Sequence, residues 1–172
     1  VGKHLKDVLP NAIYLSSKDA NLLNAKSVDT TIGNVKPDIV IHLAARVGGV
    51  LDNITYPVEY LEENTLMTTN LLRACHQHDV DRVIAISSTC VYPDVMEEYP
   101  MKEKDLFNGP PPPDNFAYAM SKRTMSVHID SYKKICKYDH ICVYIYVYAH
   151  MQMYVCRRLQ PDFADPQLKL SK

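Results

Sequence analysis

Asp38-Ile-Val-Ile-His-Leu-Ala-Ala45 decides the fold. It is a nearly continuous apolar run, too short for a typical helix and of the kind buried on both faces of a parallel sheet. Arg82-Val-Ile-Ala-Ile-Ser-Ser88 repeats the pattern further along. Between the two runs, Tyr56 to His78 carries Leu61, Leu71, Leu72 and Cys75 at helical spacing behind Pro57, a residue tolerated in a first helical turn. Strand, helix, strand in this order predicts βαβ units and an α/β fold with a doubly wound parallel sheet. Ligands of such sheets sit at the carboxyl ends of the strands, so the residues just after each apolar run are the ones to read for chemistry.

Outward from that core, Ala12-Ile-Tyr-Leu-Ser16 reads as a further short strand, and Phe116 to Tyr138 as a long amphipathic helix. Pro93 to Asp114 is a polar, proline-dense excursion that includes Pro110-Pro-Pro-Pro113. No internal repeat is present. The chain opens at Val1-Gly2 on what reads as the first helix, so the strand and glycine-rich turn that should precede it are expected upstream of the given sequence. At the other end, Val143-Tyr-Ile-Tyr-Val-Tyr-Ala-His-Met-Gln-Met-Tyr-Val155 alternates a few residue types. That tract fits either a strand or low-complexity sequence not selected to fold, and its composition favours the second. The expected organisation is a partial nucleotide-binding domain over 1–138 and a divergent tail over 139–172, disordered or alternative in origin.

With 172 residues, 47% hydrophobic and 23% charged, the chain has the balance of one ordinary domain with a real core. A net charge of −1 gives no positive field to attract nucleic acid or an anionic membrane. The five cysteines are odd in number and form no C-x-x-C pair, which speaks against a disulfide framework and for a reducing cytoplasm. No secretory leader is visible at the first residues, and no apolar run approaches the roughly 18 residues of a membrane span.

The strongest chemical signal is Tyr118-Ala-Met-Ser-Lys122 opening the last helix, with Ser88 at the end of the preceding strand. A spacing of four puts Tyr118 and Lys122 on one helix face, where the ammonium is expected to lower the phenol's pKa and so favour proton transfer. Ser88 is then placed to hydrogen-bond a substrate oxygen. Tyr-x-x-x-Lys alone is common on solvated helix faces; the serine at a parallel-strand terminus ahead of it raises the functional reading above that one. Cys90, two residues past the strand, reads either as a base near a cationic lysine or as a small buried hydrophobe.

His42-Leu-Ala-Ala-Arg-Val-Gly-Gly49, Ser87-Ser-Thr-Cys-Val-Tyr-Pro93, Asn108-Gly-Pro-Pro111 and Asn115-Phe-Ala-Tyr118 together resemble segments of the extended short-chain dehydrogenase/reductases, the NAD-dependent epimerase/dehydratase family, and within it the GDP-L-fucose synthase branch. The resemblance runs from about Val1 to Tyr138. It implies a Rossmann-like doubly wound sheet, here without the C-terminal substrate lobe. It also implies NADPH-dependent 3,5-epimerisation and 4-reduction of GDP-4-keto-6-deoxy-D-mannose, and a homodimer in the full-length form; the alternatives are another NAD(P)-dependent sugar-nucleotide epimerase or dehydratase, or a non-catalytic truncated form that only pairs with the intact enzyme. By the same resemblance Ser88, Tyr118 and Lys122 form the reductase triad, and Cys90 is the base for epimerisation. The general-acid histidine of the branch has no counterpart, and His150 is no credible substitute.

For the cofactor, Gly2 corresponds to the last glycine of the family's Gly-x-x-Gly-x-x-Gly turn, which brings backbone to the pyrophosphate at a helix N-terminus. Ser17 and Lys18 stand where an NAD-selective site usually carries an acidic residue; hydroxyls and a lysine suit a 2′-phosphate and favour NADP, with Asp19 next door as the opposing sign. The family pattern puts Asn21 and Leu22 by the adenine, and Ala44, Ala45 and Gly48 along the cofactor's path together with Tyr118 and Lys122. Cys75-His76-Gln-His78 carries metal-capable atoms, but neighbouring residues on a helix point apart, and no metal site is expected. His42 reads as a hydrogen-bonded core histidine. Asn64 is left between holding backbone near the site and plain exposure.

Overall fold

The computed structural model describes residues 2–96, 98–135 and 141–144. Its elements in chain order are α1 (Gly2–Val8), α2 (Ala25–Val35), β1 (Ile39–His42), α3 (Val50–Thr55), α4 (Pro57–Gln77), β2 (Arg82–Ile86), α5 (Phe116–Ile135) and β3 (Ile141–Tyr144). The two deciding runs are adjacent parallel strands, with Ile39 beside Arg82 and His42 beside Ala85. The sheet order is β1-β2-β3, all parallel, with Val83 beside Ile141. β3 therefore extends the sheet past residue 138, where the sequence reading drew its boundary. The tract after residue 144, His150 included, lies outside the described residues.

Helix α4 begins with Pro57 in its first turn, where the missing N–H has no intrahelical partner to lose. Its inner face buries Tyr60, Asn64, Thr68, Leu71, Leu72 and Cys75, the three-and-four spacing of a helix seated on a core. α4 packs along α5 and against α2. Val28 and Ile32 of α2, Leu71, Leu72 and Cys75 of α4, Val83 and Ala85 of β2, and Met125 and Ile129 of α5 close into one core. Truncating a fully buried member such as Ile129 to alanine costs about 2–5 kcal/mol. Among the described residues, no helix is long and apolar enough to cross a membrane.

Two expectations need correction at the N-terminal side. Ala12 to Ser16 forms no strand and pairs with no described strand, and Ile13 and Leu15 are exposed. An extended segment becomes a strand only through a partner's backbone groups, and here no described strand runs alongside it. Conversely, the sequence reading drew no element over 25–35, where α2 lies. Asn24 caps that helix through its side chain, accepting from the Ser27 N–H at 3.0 Å, and only Val28 and Ile32 are buried, so its apolar stripe is too sparse to stand out.

Candidate active site

At the carboxyl end of β2 the backbone leaves the sheet through Ser87 and Ser88 into a short 3-10 turn, Thr89–Val91. The Ser88 hydroxyl caps that turn, accepting from the Cys90 N–H at 3.3 Å. Arg123 of α5 holds the turn from the other side: buried, its Nε donates to the Val91 carbonyl at 2.7 Å and its Nη2 to the Gly109 carbonyl at 2.8 Å. The proline-dense excursion is thereby tied to the strand end, with the Asp94 N–H also donating to the Pro110 carbonyl. It closes in a 3-10 turn, Pro113–Asn115, that runs directly into α5.

Ser88, Cys90, Tyr118 and Lys122 therefore converge at this strand end. Lys122 is buried and its ammonium donates to the Ile86 carbonyl at 2.9 Å, the last residue of β2. Burial pushes its pKa down to about 8. The Tyr118 phenol is raised above its ordinary value, chiefly by burial and further by charge on Cys90, while its hydrogen bond with Ser88 pulls it down. The expected net lowering of the phenol is not found: Tyr118 is raised overall, and the Lys122 ammonium donates to a backbone carbonyl and stands 5.9 Å from the Tyr118 ring centre. Asn115 donates its amide Nδ2 to the Cys90 sulfur at 3.0 Å.

The neighbouring strand end is set by α4. Asn64 is buried and clamps the Arg46 peptide from both sides, accepting from its N–H at 2.8 Å and donating to its carbonyl at 3.1 Å. The Arg46 side chain pairs with Glu63 at 2.9 Å and lies over the Tyr60 ring. Tyr60 in turn meets the Tyr118 ring edge-on at 6.2 Å, and its hydroxyl bonds Asp52 of α3. A Cβ on Gly48 would collide with that hydroxyl and with the Asp52 carboxylate, so the glycine lets the loop pass over them. The loop leaves Ala44 and Gly48 exposed and Ala45 half-buried.

The residues expected at the adenine side are organised more locally. Ser17 and Lys18 lie on an exposed turn in which the Asp19 carboxylate accepts from the Ser16 N–H at 2.8 Å and the Ser16 hydroxyl at 2.6 Å. Those bonds hold Asp19 below the usual carboxylate pKa. Asn21 accepts from the Leu23 N–H, and Leu22 packs against the core while its carbonyl accepts from Asn70 of α4 at 2.9 Å. Gly2 opens α1. His42 is buried, 3.5 Å from the Thr68 hydroxyl, with its pKa pushed down to about 4 by burial and then by the charge of Lys122. At the far end of α4, His78 pairs with Asp29 at 2.8 Å.

A family model describing the NAD-dependent epimerases and dehydratases matches residues 3–149. The chain belongs to that family. The match continues beyond residue 138 and takes in β3. A GDP-L-fucose synthase of Dictyostelium discoideum is 39% identical over 115 residues, 67% of this chain and 36% of that enzyme. A probable GDP-L-fucose synthase of Drosophila melanogaster is 35% identical over 139 residues, 77% of this chain and 43% of its own. Among solved structures, a GDP-L-fucose synthetase from Naegleria fowleri bound to NADP superposes with a TM-score of 0.73 at 32% identity, covering 83% of this chain and 48% of that one. The chain thus spans less than half the length of each of these relatives. The sheet and its flanking helices are the Rossmann-like core of the epimerase/dehydratase family.

Sequence reasoning missed Arg123 and gave Asn115 no role beyond its motif. Both lie within a turn or so of Tyr118 along the chain, and the signal available was position: residues flanking a helix entrance that faces a strand end. For Asn64 the structure chooses the backbone-holding alternative.

Proposed function

We propose that the protein carries the nucleotide-binding side of a GDP-L-fucose synthase, which epimerises GDP-4-keto-6-deoxy-D-mannose at C3 and C5 and reduces it at C4. The observation that carries this reading is the convergence of Ser88, Cys90, Tyr118 and Lys122 at the carboxyl end of β2, beside a Gly48 loop held by α4. Ser88 and Tyr118 form the hydrogen-bonded pair that receives the C4 oxygen, with the buried phenol kept protonated and ready to donate. Cys90 takes the protons beside the keto group. Lys122, anchored on the Ile86 carbonyl, holds α5 in register with the strand end and offers its remaining donors to the ribose side.

NADPH is the proposed cofactor, and when bound it supplies the hydride for C4. The chain's residues fit it. Asp19 is satisfied within its own turn, so the acidic neighbour that opposed an NADP reading is folded back on Ser16, while the Lys18 side chain has no partner among the described contacts. Ser17, Lys18, Asn21 and Leu22 are assigned to the adenosine side, and Gly2, Ala44, Ala45 and Gly48 to the pyrophosphate and nicotinamide path. α4 and α5 leave Leu61, Leu66 and Val127 exposed, which supports a homodimer packed through these helices. A cytoplasmic setting accords with free thiols at Cys75 and Cys90.

Because the chain covers under half of each relative, turnover is proposed for a protein that also carries the remainder, and the 172-residue chain alone is read as inactive, at most a partner for intact subunits. The test is a chimera in which the Dictyostelium enzyme supplies the flanking segments, incubated with the 4-keto sugar and NADPH in deuterated water. GDP-L-fucose deuterated at C3 and C5 is the expected product. Reduction without deuterium at either carbon contradicts the reading.

A further inference from the structure

The turn that carries Cys90 is held without Asn115. Ser88 caps it through the Cys90 N–H, and Arg123 fixes it through the Val91 carbonyl, from residues that lie on either side of the turn. Val91 itself is fully buried and packs with Tyr92 and Leu106. The backbone geometry is held by these contacts, and Asn115 directs its amide at a different atom of the turn, the Cys90 sulfur, at 3.0 Å. In this orientation the Asn115 Oδ1 is buried with no partner among the described residues. An amide that leaves its carbonyl unpaired in order to point N–H at sulfur is not acting as a loop fastener.

We propose that Asn115 is a positioning residue for Cys90, donating to its sulfur so that a lone pair is held in a fixed direction. The inference rests on the reading of Cys90 as the group that takes protons from carbon. The arrangement also puts Asn115, Tyr118, Lys122 and Arg123 on one continuous segment, the 3-10 turn and first two turns of α5. That segment then supplies the phenol for one chemistry and aims the thiol for the other, so the two groups keep a fixed separation.

The test uses the 172-residue chain and needs no turnover. Cys90 alkylation by iodoacetamide at neutral pH is followed by mass spectrometry of the peptide bearing it, with Cys75, buried in the core, as the internal report on unfolding. Asn115→Leu keeps the volume and removes the donor; Asn115→Asp keeps the shape and replaces the donor with a negative acceptor. The expected order of rates is wild type, then Leu, then Asp, with Leu slower than wild type by about five-fold, the scale of one ordinary hydrogen bond. Cys75 protection and the thermal melt should be unchanged. A Leu variant that reacts like wild type would mean that the amide N–H does nothing for the sulfur, and it would overturn the proposal. So would equal rates in all three proteins. Should Asn115→Leu unfold the chain, Asn115→Ala, which also removes the donor, takes its place: a slower Cys90 supports the proposal and a wild-type rate overturns it. Because alkylation reads the Asn115–Cys90 coupling directly, it can succeed even if proton exchange on the sugar shows that Cys90 is not the base.

Discussion

The end of β2 and the Ser16–Leu22 turn are both assigned to the site, but they are built differently. At the strand end the defining contacts join residues far apart in sequence: Lys122 to Ile86, Arg123 to Val91, Asn115 to Cys90, Asn64 to Arg46. In the turn, Ser16 meets Asp19 and Asn21 meets Leu23, contacts of two or three residues on an exposed surface. Groups proposed to do proton chemistry are embedded in packing that fixes their separation. Ser17 and Lys18, proposed to recognise a phosphate, stand on an exposed turn closed by its own short-range bonds and tied to the core only at Leu22. The contrast predicts that changes at the strand end are large and touch chemistry or global stability, whereas changes in the turn are smaller and touch affinity alone.

The largest effect should come from Tyr118→Phe in the chimera. Removing the positioned proton donor is expected to slow NADPH oxidation by ~10²- to 10⁴-fold, with the melting temperature within a few degrees of the parent. A loss under ten-fold would place proton delivery elsewhere.

Next in size is the acid limb of stability in the 172-residue chain, set by His42. Its folded pKa of about 4 lies below the unfolded value of 6.5, so the unfolded state binds the extra proton in between. Stability attributable to the neutral, buried ring is fully present above pH 6.5 and is lost as pH falls from 6.5 through 4. The loss amounts to about 3 kcal/mol. Urea midpoints collected across that window should fall steeply for wild type and more gently for His42→Leu; parallel curves would mean that the ring is protonated in the folded protein.

The smallest effect is expected in the turn. Lys18→Glu in the chimera should weaken NADPH by roughly ten- to hundred-fold, the worth of a charge-assisted contact, and leave NADH nearly unchanged. Isothermal titration with both nucleotides checks this, and equal losses would remove Lys18 from the 2′-phosphate.

What was legible in the sequence follows the same divide. The apolar runs at 38–45 and 82–88 and the helical stripe between them place β1, α4 and β2, because buried parallel strands and a core-facing helix leave periodic signals. Ser88, Tyr118 and Lys122 were legible as strand-end and helix-entrance residues. The partner of Lys122 was not: spacing of four says that two side chains share a face, but not that the ammonium turns toward the Ile86 carbonyl instead of the phenol. Arg123 was invisible because a guanidinium on a helix reads as solvated until packing shows both of its carbonyl partners. The stretch 12–16 misled for the opposite reason, since β-prone residues give a strand's pattern whether or not a partner lies beside them.

The measurement that tests the account most directly is deuterium wash-in at C3 and C5 of the 4-keto sugar, read by mass spectrometry for Cys90→Ser in the chimera beside NADPH oxidation with a pre-epimerised substrate. The proposed base at carbon and the proposed proton donor at oxygen are separate groups, Cys90 on the turn after β2 and Tyr118 on α5, so the variant should lose most of the wash-in and keep most of the reduction. Full wash-in in Cys90→Ser would make the thiol a packing residue and contradict the assignment of two chemistries to this strand end.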